Sequence, residues 1–202
     1  MFRLEAKVKF EFLTLFVIFL VQFHGVYSQD AKECPTIVKR AQWGASKSTN
    51  VTYQIRPVVY VVIHHTATAI CSEMPVCKAT VKSIQDQHQK MNGWSDIGYN
   101  FLIGNGGVVY EGIGWHRVGA HTRGYNSKSL GIAFIGEFTH DLPSARALRA
   151  VNKLLECGVS LGELHPDYML YGARQISATA SPGTALYGDL QEWDHYDPSP
   201  VV

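Results

Sequence analysis

Residues 56–77 read "RPVVYVVIHHTATAICSEMPVC", and this stretch decides the fold. Val58, Val59, Val61, Val62 and Ile63 are β-branched residues in a run too short for a typical helix. They read as a central strand that ends near His64. Immediately downstream, in "SEMPVCKATVKSIQDQHQKM" (72–91), Val76, Val81, Ile84 and His88 recur at helical spacing. Pro75 suits the first turn of such a helix, where its missing N–H costs nothing. A buried strand that leads into a helix, with two histidines at the junction, is the organising feature of the chain.

The same pattern continues outward. "GYNFLIGNGGVVYEG" (98–112) holds two short strands around a "GNGG" turn, and "LGIAFIGEF" (130–138) is another buried strand. In "PSARALRAVNKLLECGVSLG" (143–162), Ala145, Leu148, Val151, Leu154 and Leu155 form one apolar face. Ser144 is placed to cap that helix and Gly158 to help end it. "YMLYGARQI" (168–176) reads as a short strand and turn, and "PGTALYGDLQEW" (182–193) as a last helix. Strands interleaved with helices predict an α/β domain. No internal repeat, long linker or low-complexity tract divides it.

The N-terminus has a different character. Arg3, Lys7 and Lys9 precede the apolar run "FLTLFVIFLV" (12–21), and Val26 and Ser28 suit cleavage after Ser28. The apolar run is about ten residues, against the roughly 20 a membrane span requires. The expectation is therefore a signal peptide at 1–28, a single secreted domain at 29–202 and no membrane anchor. Removing 3 of 18 basic and 2 of 17 acidic residues leaves 15 of each. A domain of zero formal charge has no concentrated positive surface for phosphates, which argues against a nucleic-acid partner. Four cysteines in a secreted chain suggest two disulfides. Cys71 and Cys77 lie close enough to pair locally, which would leave Cys34 to join Cys157. "NVT" makes Asn50 a glycosylation sequon, expected at the surface.

Several residues mix ring faces with hydrogen-bonding groups: His64, His65, Thr66, His88, Trp94, Tyr99, His121, Thr122, Tyr125 and Asn126. Sugars present apolar ring faces and hydroxyls, and peptides present amide donors and acceptors, so a groove lined this way suits a glycopeptide. Trp94 and Trp115 each follow a glycine outside any strongly apolar run, which favours loops where ligand contacts are common. A zinc hydrolase would need about three protein ligands and an open position for water. His64 supplies one nitrogen, and nothing in the spacing of His88 or His121 demands a metal. "ASPG" at Ser181 has no nucleophile-elbow pattern, and "GNGG" lacks the lysine and serine of a phosphate loop.

Taken in order, "YVVIHHTAT", "GWSDIGYNFLIGNGGVVYEGIGW" (93–115), "GAHTRGYN" (119–126), "GIAFIGEF" (131–138) and "YGARQISATASPG" (171–183) resemble the peptidoglycan recognition proteins, most nearly their short secreted insect type. The resemblance runs from about Cys34 to Trp193. It implies a mixed central sheet flanked by helices, related to the zinc amidases of the N-acetylmuramoyl-L-alanine type. Enzymatic members of that family bind zinc through two histidines and a cysteine. The first matches His64. Where they carry "GHRQ" this chain has "GARQ", placing Ala173 at the second position, and where their cysteine precedes "PG" this chain has Ser181. The tyrosine that assists the reaction matches Tyr99. With two of three ligands replaced by a methyl group and a neutral hydroxyl, the expectation is a binding protein with no metal cofactor and no catalytic residues.

The resemblance further implies that His64, His65, Thr66, His88, Gly93, Trp94, Tyr99, His121 and Asn126 hold muramyl peptide. Gly93, Trp94 and Ile113 would set specificity. Members that prefer diaminopimelate stem peptides carry the "GW" of Gly93–Trp94 and an arginine where this chain has Ile113. Ile113 cannot pair with the extra carboxylate, so the balance leans to lysine-type or mixed recognition, unless Arg117 or Arg123 compensates. The type also implies an extracellular haemolymph sensor acting with a glucan-binding-type co-receptor and a serine protease upstream of Toll signalling. Two other readings are a peptidoglycan hydrolase with a non-standard site and a secreted protein-interaction module that binds no glycan.

Overall fold

A computed structural model describes residues 34–200; the signal peptide expected at 1–28 lies outside the described residues. Six strands form one sheet: β1 (Ile37–Val38), β2 (Val58–His65), β3 (Phe101–Ile103), β4 (Val109–Glu111), β5 (Ser129–Phe134) and β6 (Leu164–Gly172). Their order is β1-β4-β3-β5-β2-β6. β3 and β4 pair antiparallel across the "GNGG" turn, whereas β1/β4, β3/β5, β2/β5 and β2/β6 pair parallel. The sheet is thus mixed and the fold α/β, with helices α1 (Met74–Lys90), α2 (Ala145–Ser160), α3 (Ala173–Ile176) and α4 (Thr184–Leu190). A 3-10 turn at Arg40–Trp43 follows β1. Among the described residues no helix is long and apolar enough to cross a membrane.

Side chains alternate between the two faces of a strand, and both faces here are covered, which explains the unbroken apolar run of β2. On one face Val61, Ile63, Phe101, Ile103, Leu130, Ile132 and Phe134 meet Ala147, Val151, Leu154 and Leu155 of α2 and Leu186 and Leu190 of α4. On the other, Leu102, Tyr110 and Ala133 meet Cys77, Val81 and Ile84 of α1. Ser144 caps α2 as expected, its hydroxyl accepting from Ala147 N at 3.2 Å.

Four details differ from the sequence reading. Val76 is exposed, because the buried stripe of α1 runs through Cys77, Val81, Ile84, Gln85 and His88 instead. Ala145 is exposed and Ala147 and Ala150 take its place on the inward face of α2. Gly158 lies within α2, where a Cβ would sit 3.0 Å from the Trp115 ring, so it serves close packing rather than termination. Trp115 accordingly turns inward, with its ring centroid 4.4 Å from that of Phe101.

Cys34 joins Cys157, tying the described N-terminus to α2 across 123 residues, and Cys71 joins Cys77 at the start of α1. A cross-link that closes so long a loop removes much of the unfolded chain's freedom. Replacing Cys34 and Cys157 with serine together should lower unfolding stability by about 2–5 kcal/mol, read from urea midpoints. An unchanged midpoint would show that this tie contributes nothing.

Candidate functional site

The alternation of β2 separates the two histidines. His64 shares a face with Val62 and, across the pairing with β5, with Gly131 and Ala133. His65 points the other way: its Nδ1 accepts from Phe138 N at 3.2 Å and lies 4.0 Å from Glu137. Burial lowers the His65 pKa; Glu137 opposes that fall and Arg174 adds to it. Thr66 is also occupied locally, its hydroxyl accepting from Gly136 N at 3.0 Å. His65 and Thr66 therefore border the cluster built around His64 rather than join it.

On the His64 face a row of rings extends from His121 through His64, Tyr99 and His88 to Trp94. Successive centroids are 5.5, 5.4, 5.7 and 4.6 Å apart. Three separate parts of the chain supply it: the end of β2, the last turn of α1 with the loop after it, and the 119–126 loop. Hydrogen bonds anchor His64, His88, Trp94 and His121. His88 Nδ1 accepts from Gly98 N at 3.0 Å. Trp94 N donates to His88 O at 2.9 Å, leaving the indole about one-third exposed at the end of the row. Asn126 Oδ1 accepts from His121 N at 2.9 Å and Thr122 N at 2.7 Å, which closes the 121–126 turn. The Thr122 hydroxyl lies 3.2 Å from His64 Nε2 and 3.1 Å from His121 Nδ1.

His121 fits only because glycine floors it. A Cβ at Gly131 would come within 2.3 Å of His121 Cγ, and one at Gly119 within 2.6 Å of His121 Cδ2. Thr122 is among the groove-type residues that the sequence singles out, but its role between His64 and His121 is not foreseen there, and Gly119 and Gly131 are not nominated. A threonine beside a histidine carries no distinctive signal, and its contact with His64 spans 58 residues.

Burial sets the electrostatics. It is the leading cause of the low His64 pKa, with His121 and His65 adding to it. His88 is lowered to about 4 and His121 to about 3 by the same desolvation. Tyr99 is raised to about 12. Near neutral pH the row is a set of uncharged rings with polar edges, suited to amides and hydroxyls.

Ala173 and Ser181 converge beside His64. Gly172 of β6 registers with Ile63, which places Ala173 one residue further along, next to His64. Arg174 N donates to Ser181 O at 2.9 Å, and Ser181 Oγ accepts from His65 N at 3.0 Å. The donor set does not fit zinc: Ala173 offers a methyl group, and the serine hydroxyl is already engaged by a backbone N–H. Among the described residues no three His, Cys, Asp or Glu side chains cluster to hold a metal. Ile113 is buried against the α1 layer and lines a cavity of about 180 Å³ with Ser95, Asp96, Arg117 and Ala120. Arg117 there is committed: Nε donates to Ile113 O at 2.9 Å, and Nη1 donates to Ser48 Oγ at 2.9 Å and lies 3.6 Å from Asp96. Arg123 and Asn50 are exposed.

Comparison with known proteins points in one direction. The N-acetylmuramoyl-L-alanine amidase family matches residues 54–184. Peptidoglycan-recognition protein 2 of Holotrichia diomphalia is 48% identical over 167 residues, covering 83% of this chain and 89% of the relative. The structure of Drosophila peptidoglycan recognition protein SA superimposes with a TM-score of 0.82 at 50% identity, covering 83% of this chain and 97% of that one. Peptidoglycan recognition protein LE, solved with tracheal cytotoxin, a monomeric diaminopimelic acid-type peptidoglycan, gives a TM-score of 0.79 at 44% identity, covering 80% and 95%.

The depressed histidines make stability fall in acid. An unfolded histidine titrates near 6.5, so below that pH the unfolded chain takes up protons that the folded rings refuse. Stability from these rings is complete above pH 6.5. It is lost as pH falls toward about 4 for His88 and about 3 for His121. Urea midpoints should drop steadily between pH 6.5 and 4.5, while the imidazole ¹⁵N shifts of His88 and His121 stay those of neutral rings at pH 5.5. Charged-ring shifts at that pH would contradict the assignment.

Proposed function

The chain belongs to the N-acetylmuramoyl-L-alanine amidase family, among its peptidoglycan-recognition proteins, and from that premise we propose that it binds bacterial peptidoglycan without cleaving it. One observation carries the reading: the ring row from His121 to Trp94 is built, while the positions beside His64 that would complete a zinc site are Ala173 and Ser181. Neutral imidazoles and the Tyr99 phenol supply hydrogen bonds to muramyl and stem-peptide groups, and Trp94 supplies an apolar face. Gly93 belongs to the loop that presents Trp94. His65 and Thr66 act at the margin, and Asn126 acts through the turn it closes.

The Ile113 cavity supports a preference for lysine-type over diaminopimelate-type stem peptide. Ile113 contributes an apolar side chain to its wall at the position where an arginine could pair with a carboxylate, and the bonds already made by Arg117 leave that guanidinium committed. The basic-then-apolar pattern of residues 1–28 supports secretion. An extracellular protein of this kind would act as a pattern-recognition receptor in innate immunity, in the haemolymph, with a glucan-binding-type co-receptor and a serine protease cascade upstream of Toll. The exposure of Asn50 is compatible with a glycan there.

Calorimetric titration with defined lysine-type and diaminopimelate-type muropeptides tests the reading. Binding of the lysine form is expected, with an affinity loss of about tenfold for Trp94→Ala. No binding of either form would overturn the proposal. A clear preference for the diaminopimelate form would overturn the specificity assigned to Ile113.

A further inference from the structure

The Thr122 hydroxyl sits between two imidazole nitrogens, 3.2 Å from His64 Nε2 and 3.1 Å from His121 Nδ1, and is itself buried. A hydroxyl has one hydrogen to donate. Both hydrogen bonds form between neutral rings only if one facing nitrogen carries a proton and the other does not. The two rings must then hold the same tautomer: both Nδ1–H, or both Nε2–H.

The far nitrogen of His121 decides between these states. Nε2 is buried with no hydrogen-bond partner among the described residues. Tautomer Nε2–H would orphan a buried donor there, whereas Nδ1–H leaves an unpaired acceptor. Buried orphan N–H groups are the rarer of the two. With His121 as Nδ1–H donating to Thr122, the threonine donates to His64 Nε2, and the His64 proton moves to Nδ1. The His64 ring makes its one hydrogen bond among the described residues through Nε2, and its Nδ1, unlike His121 Nε2, is not among the fully buried atoms left without a partner, so an Nδ1–H there is accessible to solvent or a ligand.

We infer that Thr122 is a positioning residue that locks His64 and His121 into matching Nδ1–H tautomers and so presents His64 to ligand as a hydrogen-bond donor. The chemical class it selects at that point is an oxygen acceptor: an amide carbonyl, a carboxylate or a sugar oxygen. The ligand half of this inference rests on the glycopeptide reading of the cleft; the tautomer half does not. The rigid turn closed by Asn126 and the glycine floor under His121 keep the three groups in register.

Long-range ¹H–¹⁵N spectra of histidine-labelled protein at pH 7.5 read both tautomers directly. The expected result is Nδ1–H on both rings in the wild-type chain and in Thr122→Ser. In Thr122→Val the His64 tautomer should become mixed, with muropeptide affinity down about tenfold and restored in the serine variant. Unlike tautomers on the two rings, Nε2–H on both, or a valine variant with unchanged tautomers would overturn the inference. If the valine variant does not fold, the wild-type and serine spectra decide. Matching Nδ1–H rings in a protein that binds no muropeptide would support the tautomer lock and instead sink the reading of the cleft.

Discussion

The period-two alternation of one strand, buried on both faces, governs this molecule. β2 lies between β5 and β6, so neither its backbone nor its side chains can shift register without moving apolar groups from one helix layer to the other. That constraint fixes His64 toward the α1 side and His65 toward the α2 and α4 side. It also makes His64 part of a cluster while His65, its neighbour in sequence, serves a loop. Everything assembled around His64 depends on this placement at the carboxyl end of a mostly parallel sheet, where ligand sites in open α/β folds gather.

Within that frame the chemistry is that of neutral groups in a poorly solvated place. A buried imidazole resists protonation, and a buried phenol resists ionisation. The row from His121 to Trp94 therefore offers ring faces and hydrogen bonds rather than net charge. A neutral histidine is also what a metal would want, but one nitrogen ligand does not make a metal site. At the two neighbouring positions a methyl group cannot donate, and a hydroxyl already accepts the His65 N–H. On our reading the family's scaffold has been kept for grip, while the means of activating water is missing.

Much of the fold was legible before the structure. The β-branched run of β2, the "GNGG" hairpin, the helical spacing of α1 and the Ser144 cap are local signals, and they came through because burial agrees with them. The errors came where neighbours distant in sequence decide. Gly158 reads as a helix terminator until Trp115 is found against it. Trp115 does lie in a loop, but its ring packs on Phe101 instead of facing a ligand. In the site, His64, His88, Trp94, Tyr99 and His121 were recognisable by type and by resemblance. Thr122 was singled out by type, but its role was not, and the glycine floor was missed, because these roles exist only as contacts between β2, β5 and the 119–126 loop. The split between His64 and His65 follows from strand alternation, yet a paired "HH" invites the opposite reading.

The central claim is that this cleft holds cell-wall fragments without a metal-activated water. The most direct measurement is mass spectrometry of a defined muropeptide incubated with stoichiometric zinc and purified protein, alongside binding measured with and without a chelator. The account predicts intact muropeptide and an affinity that the chelator leaves unchanged. Stem peptide released from glycan, in a reaction that the chelator stops, would contradict it.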